Sequence, residues 1–203
     1  MTFVLRVILL AVFAVAASSG AHAEGDFMSE RSLGKKEAPI RVDEYTSMTC
    51  IHCADFTLTI LPELEKRYID TGKVLFVMHD FPLSAFSLKA AVVARCMPKD
   101  TYLPFIKVLY GALREGKLNE GTSEDMLYQY AALGGLAADR AKACANDPAL
   151  QNEIIAGRTE ATAKYNIQAT PTFVINNGVE TINGAVNADS FSAVFDRLLA
   201  AKK

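Results

Sequence analysis

Glu44-Tyr45-Thr46-Ser47-Met48-Thr49-Cys50-Ile51-His52-Cys53-Ala54-Asp55-Phe56 decides how this chain folds. Just ahead of and into it, residues 40–45 alternate apolar and polar side chains, which predicts a strand with Ile40, Val42 and Glu44 on one face. Beyond it, Ile51, Phe56, Leu58, Ile60, Leu61, Leu64 and Tyr68 recur at helical spacing, with Pro62 inside as an expected kink. The two cysteines therefore stand where a strand hands over to a helix. Glu44 shares its face with core residues.

Working outward, residues 73–80 predict a second strand, ended by Phe81-Pro82. Residues 84–146 carry only helical spacing, broken at Pro98, at 116–121 and at Gly134-Gly135. Asp147-Pro148 reads as an N-cap with proline at the first helical position, opening a helix to Lys164. Residues 172–175 and 179–182 flank Asn176-Asn177-Gly178, a hairpin signal, and 188–200 predict a closing amphipathic helix. The order is strand, helix, strand, helical block, helix, hairpin, helix. That is an α/β sheet protein interrupted by a helical insertion at 84–146, with the sheet portion in two pieces, 37–83 and 147–203.

The first 23 residues read as an address. Arg6 gives a positive start, 7–17 is an apolar run, and Ala21-His22-Ala23 offers a cleavage site after Ala23. The run is about half what a bilayer needs. The chain is thus expected to be exported to the periplasm, with 24–36 a loose polar arm. A formal net charge of −2 without a basic stripe gives no support for nucleic-acid or anionic-membrane binding. In an oxidising compartment, four cysteines point to redox chemistry or cross-links before metal.

Two cysteines at i and i+3 at a helix start have a physical logic. The first meets the unpaired N–H groups and positive dipole end, which stabilise a thiolate; the second lies one turn in and is shielded. Cys50 is then the attackable sulfur and Cys53 the resolving one. His52 between them adds a donor or a positive charge that favours the Cys50 thiolate. A zinc site would need a second cysteine pair, and haem attachment a histidine directly after Cys53, where Ala54 stands. No metal or bound cofactor is expected. A different class remains open, because Met48, Cys50, His52 and Cys53 also gather soft ligands of the kind that hold Cu(I). An inert structural bridge between Cys50 and Cys53 is the other alternative.

The chain resembles the DsbA family of the thioredoxin superfamily. The resemblance is carried by the stretch 44–56 quoted above, Leu61-Pro62-Glu63-Leu64, residues 68–74, Asp80-Phe81-Pro82-Leu83, and Ala169-Thr170-Pro171-Thr172-Phe173. It implies a thioredoxin fold with an inserted helical domain, and a thiol:disulfide oxidoreductase that passes a Cys50–Cys53 disulfide to reduced exported proteins. It implies that Glu44 is the buried acid beneath the pair and that Pro171 is a cis-proline facing the disulfide. Thr170, Pro171 and Ile51 then form the substrate-binding edge. A membrane quinone-linked reoxidant of the DsbB or VKOR type is the implied partner, and the protein is expected to be a monomer. A reductase or isomerase is the alternative within this class.

Cys96 and Cys144 lie 48 residues apart, on the first and last helices of the expected insertion. Four cysteines allow three pairings, and buried free thiols are an alternative. The family resemblance implies that these two form a structural disulfide.

Overall fold

The computed structural model describes residues 27–119, 121 and 124–201. The expected 1–23 leader lies outside the described residues. Among the described residues five strands form one sheet: β1 (Arg31–Leu33), β2 (Ile40–Thr46), β3 (Val74–Asp80), β4 (Thr172–Ile175) and β5 (Glu180–Asn183), in the order β1-β3-β2-β4-β5. β2 and β3 are parallel at the centre, and every other pairing is antiparallel. A parallel pair needs a crossover. Residues 51–69 supply it as a helix.

That helix is not uniform. α1 (Ile51–Asp55) passes into a π-helical turn, Phe56–Ile60, then α2 (Leu61–Leu64) and a second π-helical turn, Glu65–Ile69. The expected kink at Pro62 is met by these wide turns. Leu61 N–H reaches back to Phe56 C=O, and Pro62 sits in the first turn of α2, where its lack of an N–H does least harm.

Four helices follow β3: α3 (Ala85–Cys96), α4 (Lys99–Arg114), α5 (Glu124–Leu133) and α6 (Ala138–Ala145). Ser84 and Ser87 cap α3 reciprocally, and Asp147 accepts from Ala149 and Leu150 N–H to start α7 (Pro148–Tyr165). α8 (Ala188–Ala200) closes the chain. Among the described residues no helix is long and apolar enough to cross a membrane.

Two differences from expectation have physical causes. Part of the 24–36 segment is not a loose arm, because Arg31–Leu33 pairs with Phe76–Met78 of β3. Arg31 is buried there, its Nη2 donating to the Arg95 carbonyl at 2.8 Å and its guanidinium over the Tyr102 ring. Three residues are too few for a period to show. The hairpin's second strand starts at Glu180, since Asn176, Asn177 and Gly178 all take positive φ and lengthen the turn.

Val42, Phe76 and Phe173 lie on one sheet face, against α1, the π-helical turn and α8. Phe56 stands 4.4 Å from Phe173 and 5.8 Å from Phe76 by ring centroids, and Phe191 stands 4.8 Å from Phe173. Such aromatic pairs contribute about 1 kcal/mol each beyond burial. Phe56 lies six residues after Cys50, so this anchorage also fixes the helix start that carries the cysteines. Tyr45 and Val174, on the other face, pack on Ala161 of α7.

Candidate active site

Strand alternation puts Glu44 and Thr46 on the same face of β2, and the turn after Thr46 brings the chain to Cys50 at the start of α1. Cys50 is the N-cap residue, and its Sγ accepts the Cys53 N–H at 3.2 Å. On its other side, the Cys50 thiol donates to the Thr170 carbonyl at 3.3 Å. The Thr170–Pro171 bond is cis, and Pro171 is buried. Cys50 is partly exposed while Cys53 is fully buried, and both are free thiols in this structure.

The two thiols differ in acidity. Cys50 is lowered from 9.0 to about 6, first by the Cys53 thiol, then by the Thr170 side chain and the backbone N–H groups of Cys53 and His52, against the pull of burial. Cys53 is pushed far up, first by burial, then by the hydrogen bond to Cys50 and by charge on Cys50 and Glu44. One sulfur is prepared as an anion and the other as a thiol.

Glu44 is 0% exposed, and neither carboxyl oxygen has a hydrogen-bond partner. Burial raises its pKa from 4.5 to about 8, with charge on Cys50 adding to the rise. The Thr46 hydroxyl opposes the rise, but it lies outside hydrogen-bond geometry with the carboxyl and is engaged by Tyr110 at 2.8 Å. At neutral pH Glu44 is thus a carboxylic acid with a proton to give. Its flanking residues in the sheet, Met78 and Phe173, are apolar.

Ile51 and His52 are exposed at the helix start, Ile51 at 44%. Of His52, the backbone N–H acts on Cys50. Met48 is 1% exposed and belongs to the core. Among the described residues no group of three or more His, Cys, Asp or Glu could hold a metal ion. Cys96 of α3 and Cys144 of α6 are joined by a disulfide, their Cα atoms 6.5 Å apart.

His79 lies on the sheet face opposite Glu44. Its Nε2 is 2.7 Å from Asp43 Oδ1, and its ring stacks on Tyr45. Together with Arg41 and Lys164 these residues line a cleft of about 530 Å³.

Sequence reasoning missed Thr46 and Tyr110. Thr46 had a signal, since period 2 places it beside Glu44 on the inward face. Tyr110 had none, because its contact spans 64 residues of chain.

A family model described as Thioredoxin matches residues 28–197. The chain is 33% identical over 172 residues to a Rickettsia bellii protein named protein-disulfide oxidoreductase, a match covering 84% of this chain and 65% of that protein. A protein of the same name from Rickettsia felis is also 33% identical, with 60% of it covered. The chain therefore spans about 60 to 65% of the length of these relatives. Among solved structures, alpha-DsbA1 of Wolbachia pipientis is similar with a TM-score of 0.77 at 30% identity, covering 85% of this chain and 92% of that one. Oxidised BdbD of Bacillus subtilis has a TM-score of 0.74 at 23% identity, covering 86% and 95%, a likeness of fold.

Proposed function

We propose, because this chain belongs to the DsbA-like branch of the thioredoxin family, that it is a periplasmic dithiol-disulfide oxidoreductase donating a Cys50–Cys53 disulfide to reduced exported proteins. The fold is a thioredoxin fold carrying a helical insertion. The observation that carries the function is the opposed acidity of the two sulfurs, Cys50 held at about 6 and Cys53 pushed up by burial. Whatever favours the dithiol form with its thiolate over the disulfide makes the oxidised pair an electron acceptor.

The chemistry follows from the placement. A substrate thiolate attacks Cys50 Sγ, the Cys50–Cys53 bond breaks, and Cys53 departs with both bonding electrons as a thiolate. In its buried position that anion takes a proton, which the Glu44 carboxyl supplies. A second substrate thiolate then attacks the substrate sulfur of the mixed disulfide. Cys50 leaves as the thiolate, already its favoured form at neutral pH. The substrate has lost two electrons and the protein has gained them. Ile51, Thr170 and Pro171 form the edge along which an extended substrate lies, in strand-like pairing with the Thr170 backbone. His52 stands exposed beside Cys50, and its backbone N–H favours the Cys50 thiolate. No bound cofactor takes part. A membrane quinone-linked protein of the DsbB or VKOR type restores the disulfide.

Trapping tests this reading. Cys53→Ala is expected to accumulate mixed disulfides with exported proteins through Cys50, while Cys50→Ala accumulates none. Equal adduct yields from both variants on non-reducing gels overturn the assignment.

A further inference from the structure

The floor of the site holds more buried polar atoms than the reaction above uses. Glu44 Oε1 and Oε2, Ser47 Oγ and Thr57 Oγ1 are all buried without a hydrogen-bond partner. Thr57 lies one helical turn beyond Cys53, on the same side of the helix. Among these atoms runs one ordered chain: Thr46 Oγ1 is 2.8 Å from Tyr110 Oη, and Tyr110 Oη is 3.2 Å from the Ser47 carbonyl. Thr46 is 1% exposed and Tyr110 0% exposed, so no bulk water completes the pattern. α4, which carries Tyr110, packs directly on α1, which carries Cys53.

We propose that the Thr46–Tyr110 hydroxyl pair is a positioning device for proton exchange between Glu44 and Cys53, accepting from whichever is protonated and donating to whichever is the anion. The proposal rests on the disulfide-exchange reading and deepens it.

The two hydroxyls carry a fixed number of protons. Each hydroxyl carries one. When Tyr110 gives its proton to the Ser47 carbonyl, Thr46 must give its own to Tyr110, and Thr46 Oγ1 faces the site as an acceptor. That arrangement suits a Glu44 carboxyl or a Cys53 thiol. When Tyr110 turns its proton to Thr46, the Thr46 proton is freed to point at an anion. The reversal leaves nothing stranded, because the Ser47 carbonyl keeps the Cys50 N–H, 3.1 Å away. Thr46 follows Glu44 by two residues on β2, so its buried hydroxyl shares the inward face of the strand with that carboxyl, and it acts on the acidity of both Glu44 and Cys53.

The proton balance closes in each direction. When the Cys50–Cys53 bond breaks, Cys53 leaves as thiolate, Glu44 loses its proton to it, and the pair reverses to donate to the new carboxylate. On reoxidation Cys53 returns that proton to Glu44 as its sulfur bonds Cys50. The titratable groups facing Glu44 are Cys50 and Cys53 from α1 and Tyr102 and Tyr110 from α4, with the Asp80–Arg95 ion pair beyond Tyr102. Met78 of β3 and Phe173 of β4 flank Glu44 in the sheet with apolar side chains.

The test is the rate at which reduced glutathione reduces the oxidised protein across pH, read as the ratio of variant to wild type so that the titration of glutathione cancels. Thr46→Val is expected to slow reduction about tenfold, the loss of one hydrogen bond to a developing charge, and to displace the inflection that Glu44→Gln abolishes. Tyr110→Phe keeps the ring and is expected to move the profile the same way. Thr46→Ser, which keeps a hydroxyl, is expected to recover most of the rate. Should Thr46→Val not fold, Tyr110→Phe against Thr46→Ser carries the same comparison. Wild-type rate and profile in Tyr110→Phe, or a Thr46→Ser variant as slow as Thr46→Val, overturns the relay while Glu44→Gln still reports on the proposed function. A wild-type protein that exchanges with glutathione at no pH overturns both.

Discussion

The Sγ of Cys50 lies 3.3 Å from the carbonyl oxygen of Thr170, 120 residues further along the chain. A helix start and the loop entering β4 thus converge on one sulfur, the helix bringing N–H donors and the loop a carbonyl and a hydroxyl. These have opposite effects. The carbonyl accepts from the thiol, while the Thr170 hydroxyl, buried and without another partner, is placed to donate to the thiolate. Thr170→Val removes the donor and keeps the carbonyl. The Cys50 pKa is expected to climb above its value of about 6 by roughly half a unit to one unit, read from ultraviolet thiolate absorbance against pH. An unmoved curve removes Thr170 from the set of stabilisers.

Glu44 makes stability depend on pH in a definite direction. Its folded pKa, about 8, stands above its ordinary 4.5, so between those values the folded protein holds a proton that the unfolded chain releases. The associated stability is fully present below about 4.5 and is lost as pH rises through about 8. Glu44→Gln is therefore expected to be the more stable protein at pH 8.5, by at most roughly 5 kcal/mol, with the gap closing toward pH 4.5. Urea unfolding at a series of pH values measures it. A gap that stays constant with pH contradicts the buried, protonated acid.

The disulfide between Cys96 and Cys144 closes a loop of 48 residues at a distance from Cys50 in sequence. Loop entropy assigns it roughly 4 kcal/mol. Replacing both with Ala is expected to lower the unfolding temperature while the folded variant keeps its exchange rate at Cys50. A rate that falls with intact folding ties the bridge to the site.

His52 is exposed, so any action of its side chain on Cys50 is screened by solvent and salt. His52→Ser is expected to raise the Cys50 pKa by less than roughly one unit, and by less still at high salt. The accompanying change in redox potential follows at about 30 mV for each 1.4 kcal/mol. A shift independent of salt points to a contact in place of a field.

The junction of β2 and α1 was legible because the hydrophobic period changes from two to 3.6 at the cysteines, and the same period of two assigned Glu44 its inward face. β1 was not, since Arg31-Ser32-Leu33 is too short and polar to show alternation. Thr170 reached Cys50 through family resemblance alone, for nothing local to either segment predicts their meeting. Tyr110 stood in the sequence as one more apolar position on a helix. Only the packing of α4 on α1 turns its hydroxyl toward Thr46. His79 meets Asp43 across the parallel register of β2 and β3, and no pattern within one strand encodes that register.

The redox potential of the Cys50–Cys53 pair, measured by equilibration with glutathione redox buffers, bears most directly on the central claim. A thiolate held at about 6 against a buried partner thiol predicts an oxidising pair, with a potential less negative than about −200 mV. A value near −270 mV, the range of a thioredoxin-type reductant, contradicts it.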